Sequence, residues 1–127
     1  MKITTKQEAI NKRRKDGTNI SYYLLDEYEV HDGWLVPGVV QPWHHHNLIN
    51  ETLFVTEGKA LLHYLDGKKK VQREVVPGDL IRVENTPHTL SNPFSKTCRI
   101  IAFRFVPQNL DHSELIKNDK ILDADLD

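Results

Sequence analysis

The sequence contains one cysteine, Cys98, among its 127 residues. No internal disulfide can form, and the chain reads as one that folds in a reducing, cytoplasmic setting. It also lacks any run of about 18 apolar residues, which excludes a helical membrane span. The opening Met1-Lys2-Ile3-Thr4-Thr5-Lys6 has no apolar signal core, so a cytoplasmic location is expected. Charge of one sign is missing too: 17 basic against 18 acidic residues leave a net charge of −1. A surface built to hold nucleic acid electrostatically is not expected from that balance. What is present is a 39% hydrophobic composition, enough for the core of one domain spanning residues 1–127. Histidine is the excess, with seven residues, three of them consecutive as His44-His45-His46.

There is no internal repeat and no low-complexity linker. The two ends are polar and oppositely charged: residues 1–17 carry six basic and two acidic side chains, residues 111–127 six acidic and two basic. They read as solvated arms or short helices around a barrel core at about residues 20–107. Thr5 to Lys15 predicts a thin-faced helix ended by Asp16-Gly17, and Ser113 predicts the cap of a short helix over Glu114 to Lys117. Between the arms lie short β-branched and aromatic runs. They predict strands over 21–30, 34–40, 51–55, 59–65, 68–76, 80–83, 88–91 and 99–106, the last stopped by Pro107. Asp32-Gly33, Glu57-Gly58 and Asp66-Gly67 predict hairpin turns, and Pro77-Gly78-Asp79 a further turn. Many short, evenly spaced strands imply an all-β antiparallel sandwich or barrel.

The chemistry lies in the histidines. Residues i and i+2 of a strand share a face, so His44 and His46 can converge on one ion while His45 points away. Spacing alone leaves a metal pair and a merely polar stretch both open. Glu51 rejoins that face only if the chain bends after His46, and Asn47 and Asn50 supply turn-compatible residues. His88, distant in sequence, can close over the same point in a barrel. Three imidazoles and a carboxylate suit one divalent ion of Fe, Mn, Ni, Zn or Cu.

The pattern Gly38-x5-His44-x-His46-x4-Glu51-x6-Gly58 resembles the first motif of the cupin family without a gap. Pro77-Gly78-Asp79, followed by His88 and Asn92, resembles its second. Glu84 and Thr86 stand near where that motif usually has proline and glycine, and the loop to His88 is one residue shorter. The likeness spans about residues 34–106. It implies a double-stranded β-helix, or jelly-roll barrel, with one metal bound inside by His44, His46, Glu51 and His88, and it implies a homodimer. The glycines fit independently: Gly38, Gly58 and Gly78 stand where strands must turn, and glycine alone takes positive φ cheaply.

Around such a site, strand parity over 38–46 predicts Val40 and Pro42 inside and Gln41 and Trp43 outside, with Trp43 packing against a neighbouring sheet or subunit. Glu51, Leu53 and Val55 share a face and suggest a pocket for a modest organic ligand. On the last strand either Arg99, Ile101, Phe103 and Phe105 or Ile100, Ala102 and Arg104 face in; an inward Arg104 would clamp a carboxylate or phosphate, and a solvated edge charge is the alternative. Arg82, between Ile81 and Val83, has the same two alternatives; His63 reads as a packed or surface residue, with pocket lining the alternative, His31 and His112 as exposed loop residues, and Cys98 as buried filler. The expected function is a metal-dependent enzyme acting on a small organic molecule, dioxygenase-like. The alternatives are a sugar- or effector-binding module and a metal-dependent isomerase or decarboxylase.

Overall fold

A computed structural model describes residues 1–105 and 119–127. The described chain forms eleven strands: β1 (Ile10–Arg13), β2 (Asn19–Leu24), β3 (Tyr28–Leu35), β4 (His44–His46), β5 (Asn50–Glu57), β6 (Ala60–Asp66), β7 (Lys69–Val75), β8 (Leu80–Arg82), β9 (His88–Ser91), β10 (Cys98–Phe105) and β11 (Lys120–Leu122). They make two antiparallel sheets, ordered β1-β2-β3-β10-β5-β8 and β11-β4-β9-β6-β7. The sheets enclose an apolar core that includes Leu35, Leu53, Val55, Leu62, Val75, Leu90 and Ile100. This is the all-β barrel expected from the strand spacing. Pro107, His112, Ser113 and the helix expected at Glu114 to Lys117 lie outside the described residues.

Two local expectations are corrected. The helix over Thr5 to Lys15 is instead a turn at residues 6–8 followed by β1, whose residues are all exposed. Its backbone groups are satisfied by β2, with Ile10 opposite Tyr22 and Arg13 opposite Asn19. Tertiary pairing therefore overrides a weak helical preference. Asp32-Gly33 is not a hairpin but the middle of β3, where Gly33 faces Ile100 across the ladder. The turn lies earlier, where the Leu25 amide donates to the Tyr28 carbonyl at 3.0 Å.

A third is corrected as well: Glu57-Gly58 is not a hairpin, because β5 and β6 belong to different sheets and the turn carries the chain from one to the other. Asp66-Gly67 does join the paired strands β6 and β7. Gly38, Gly58 and Gly78 have φ of +93°, +66° and +94°. Gly58 has a second constraint: a Cβ there would stand 2.3 Å from the Thr97 carbonyl oxygen. Glu84, at the position where the motif departs, holds a left-handed φ of +55° without being glycine. Asn92 is buried and donates to the Leu35 and Lys96 carbonyls at 2.7 and 2.8 Å, while its own Oδ1 accepts from the Phe94 amide at 3.0 Å. It thus satisfies the loop that leads into β10. Cys98 is fully buried in the core, and burial pushes its thiol up to about 11.

Candidate metal centre

β4 is only three residues long, and its alternation turns His44 and His46 inward, both buried. His45 faces away, where its Nδ1 lies 2.8 Å from Asp123 Oδ2. β9 pairs with β4 through His88 opposite His44, which brings the two rings to 4.4 Å between centroids. One ring nitrogen from each of His44, His46 and His88 falls within 4.8 Å of the others. Glu51, on β5 of the facing sheet, places Oε1 3.6 Å from His46 Nε2 and 3.8 Å from His88 Nε2. The chain does bend between His46 and Glu51, at residues 47–49. The carboxylate of Asp119 fixes that bend by accepting from the amides of Asn47, Leu48 and Ile49 at 3.3, 3.0 and 3.0 Å.

The ring protons are set by the backbone. His44 Nδ1 donates to the Pro42 carbonyl at 2.9 Å, and His88 Nδ1 to the Thr86 carbonyl at 2.8 Å. A carbonyl only accepts, so in the neutral ring the lone pair is left on Nε2. Burial, followed by the facing His88, holds His44 down at about 3, so its ring is neutral at physiological pH. His46 Nε2 is buried without a hydrogen-bond partner among the described residues. A neutral His46 offers a lone pair there only if Nδ1 carries the proton, on the side where Asp119 Oδ2 stands at 3.9 Å.

The separations of 3.6 and 3.8 Å are long for hydrogen bonds. They are close to the roughly 3.0–3.6 Å between two atoms each ~2.1 Å from a shared ion. The donor set and the orphaned nitrogen both fit a divalent metal.

Arg104 resolves the question of the last strand. Ile100, Ala102 and Arg104 face in. The buried guanidinium places Nε 3.0 Å from Glu51 Oε2, Nη1 3.5 Å from Glu29 Oε1 and Nη2 3.4 Å from His46 Nδ1. Burial alone would raise the Glu51 carboxyl. The facing His46 and His88 rings and the Arg104 charge outweigh it and hold Glu51 well below the usual carboxylate range.

A cavity of about 380 Å³ opens over this centre, walled by Ile20, Leu35, Leu53, Leu90 and Ile100. Leu53 is where the shared face of Glu51, Leu53 and Val55 placed it, and Val55 packs fully into the core. His31 also lines the cavity, which corrects its reading as an exposed loop residue. With β3 continuous through Gly33, parity puts Glu29, His31 and Gly33 on the inner face. His31 Nε2 sits 2.7 Å from Glu29 Oε1, and burial lowers its pKa despite that carboxylate. The parity expected over 38–46 also fails before β4. Val40 is 68% exposed while Gln41 is buried on the cavity wall, because residues 38–41 run beside 90–92 as an irregular segment rather than a regular strand.

Trp43 is buried within its own chain, 5.2 Å from the Lys70 ammonium, with its backbone tied to Asp123 and Asp127. His63 bonds Ser91 Oγ at 2.9 Å. Arg82 is exposed and lines a second cavity of about 410 Å³ whose wall also includes His88. Sequence reasoning missed Gln41, Asp119 and Lys120. Only the charges at the chain ends hinted that the ends return to the barrel.

A family model described as "Cupin domain" matches residues 35–104. The chain belongs to the cupin family. Its barrel is similar to a cupin 2 conserved barrel domain protein from Salinispora arenicola, at 19% identity over 92% of this chain and 94% of that one, with a TM-score of 0.67. It is also similar to the oxalate decarboxylase of Lactobacillus farciminis in a formate complex. There the identity is 19%, over 97% of this cupin and 36% of that chain, with a TM-score of 0.73. A third structure, of FeII HppE, aligns at 17% identity over 83% of this cupin and 60% of that chain, with a TM-score of 0.66. At these identities the likeness is one of fold. No curated protein matches the chain.

Proposed function

We propose that this cupin is a metal-dependent enzyme acting on a small organic molecule, with His44, His46, Glu51 and His88 holding one divalent ion. The observation that carries the reading is the orientation of His44 and His88: their Nδ1 protons are spent on the Pro42 and Thr86 carbonyls, which leaves Nε2 of each ring with its lone pair in the three-histidine cluster, and Glu51 Oε1 reaches that cluster at His46 and His88. When bound, such an ion supplies Lewis acidity and open positions for substrate or dioxygen. The surrounding residues do the rest. Arg104 orients Glu51, and Leu35, Leu53 and Ile100 exclude water from the cavity floor.

A dioxygenase-like reaction is the favoured chemistry. A histidine and carboxylate set suits iron, and one similar barrel is that of FeII HppE. The His31–Glu29 pair favours one second reading, a metal-dependent isomerase, because an imidazole backed by a buried carboxylate on the same cavity wall is placed to move a proton. Homodimerisation belongs to the same proposal: Leu80 and Phe105 stand exposed on the outer face of the six-stranded sheet, and sedimentation as a monomer would count against it.

Elemental analysis of the native protein and of His46→Ala tests the centre. Stoichiometric metal in the wild type and none in the variant is expected; metal in neither defeats the reading. Oxygen uptake with candidate substrates then supports the oxygenase. Solvent deuterium entering substrate without oxygen uptake supports the isomerase.

A further inference from the structure

Three cations from opposite ends of the chain meet over the metal centre. Lys12 lies on β1, Arg14 directly follows it, and Lys120 opens β11; all three line the cavity that contains His44, His46 and His88. Among the described residues none of the three forms an ion pair. Among the described residues the Arg14 guanidinium is held by the Tyr22 hydroxyl, which accepts from Nε at 3.3 Å and Nη2 at 3.2 Å. Among the described residues Glu51 is the one acidic residue on the cavity wall, and it already lies 3.0 Å from Arg104 Nε. Among the described residues a chain with a net charge of −1 therefore lines a single cavity with four cations and one anion, and only Arg104 of the four has carboxylates against it, Glu51 and, at 3.5 Å, Glu29. Like charges confined between low-dielectric walls repel, and they focus a positive potential into the space they share. An anion placed between them removes the repulsion.

We infer that the cavity binds a small organic anion, its carboxylate or phosphate group lying between Arg14 and Lys120 and its opposite, polar end facing the three histidines. The guanidinium of Arg14 offers a planar fork that matches either oxyanion, and Lys120 adds a point charge. Between the two ends, Ile20, Leu35 and Ile100 give the carbon skeleton an apolar wall. The inference rests on the metal-centre proposal for the inner end of the ligand only; recognition of charge at the outer end stands without it.

Calorimetric titration tests it, with glutarate, inorganic phosphate and the neutral glutaramide as probes, on protein both free of metal and loaded with it. Wild-type protein is expected to bind at least one anion in the metal-free form, and to bind glutaramide at least tenfold more weakly than the tighter of the two anions. Which anion binds tighter separates a carboxylate from a phosphate site. The Arg14→Gln/Lys120→Met double variant is expected to lose at least tenfold in anion affinity while keeping its thermal midpoint. Lys12→Glu, a reversal at an exposed edge position, weakens binding without touching the fold and serves if the double variant does not fold. Absence of anion binding by the wild type, equal binding of glutaramide, or unchanged affinity in the folded variants overturns the inference. Metal uptake without anion discrimination defeats this inference and leaves the metal centre standing. Anion discrimination without metal uptake does the reverse.

Discussion

His44 and His88 use one local device: each ring donates Nδ1 to a carbonyl two residues earlier in its own chain, so each segment carries its own orienting group. His46 has no such carbonyl: the acceptor beside its Nδ1 is Asp119 Oδ2 at 3.9 Å, while the Arg104 guanidinium at 3.4 Å only donates and favours the opposite tautomer. Two other single residues give direct tests. Cys98 is fully buried, with its thiol raised to about 11 by burial, so it should resist alkylation at pH 8 in the folded protein and react only with denaturant; rapid labelling of the native form would refute this placement. Glu84 holds φ of +55°. A left-handed conformation costs a non-glycine residue about 1–2 kcal/mol, and glycine's extra unfolded-state freedom returns roughly 0.5–1 of that. Glu84→Gly should therefore stabilise the protein by roughly 0.5–1 kcal/mol, read as a higher urea midpoint at unchanged slope.

At the scale of elements, the barrel strands and the His44–Glu51 bend were legible because turn chemistry and alternation are local. Asp66-Gly67 joins β6 to β7 and Pro77-Gly78-Asp79 leads into β8, as their residue types require. Illegible were the elements that exist only through a partner. β1 is polar and exposed along its length and is a strand because β2 pairs with it. β11 exists because β4 offers an edge, with Lys120 opposite His46. Arg104 was ambiguous because parity assigns residues to two faces but does not say which face is covered; His31 was misread as a loop residue because Asp32-Gly33 carries hairpin chemistry yet lies inside β3. Asp119 joins β11 to the centre by accepting three amides from the bend after His46. Asp119→Ala leaves those donors without their acceptor and should cost about 2–4 kcal/mol, since bonds to a charged group are worth roughly 1.5–3 kcal/mol and buried groups lose water as well. It should also lower metal affinity about 10–100-fold, as expected for loss of an outer partner. Chemical denaturation and competition with a chelator measure the two effects.

For the whole molecule, the two sheets converge on one buried cluster of ionisable groups, so stability should follow both protons and metal. Burial keeps His31 below its ordinary value of 6.5 and His44 at about 3. In acid the unfolded chain takes up protons at these positions while the folded barrel does not, so stability falls as pH drops below 6.5 toward 3. The urea midpoint should accordingly be lower at pH 5 than at pH 7. Metal acts in the same direction, because its ligands must be unprotonated and the site is assembled only when β4, β5 and β9 are in place. An ion at about 100 times its dissociation constant stabilises the native state by about 2.7 kcal/mol. For a domain of this size that is on the order of 10 °C in thermal midpoint. Adding iron(II), manganese or zinc to stripped protein at pH 7 should raise the midpoint by that order, and the gain should shrink at pH 5 as protons compete for the imidazoles. His46→Ala should abolish the gain while leaving a folded barrel. A rise of equal size in His46→Ala would place the ion elsewhere, since the variant lacks the one buried ring nitrogen that has no other partner among the described residues.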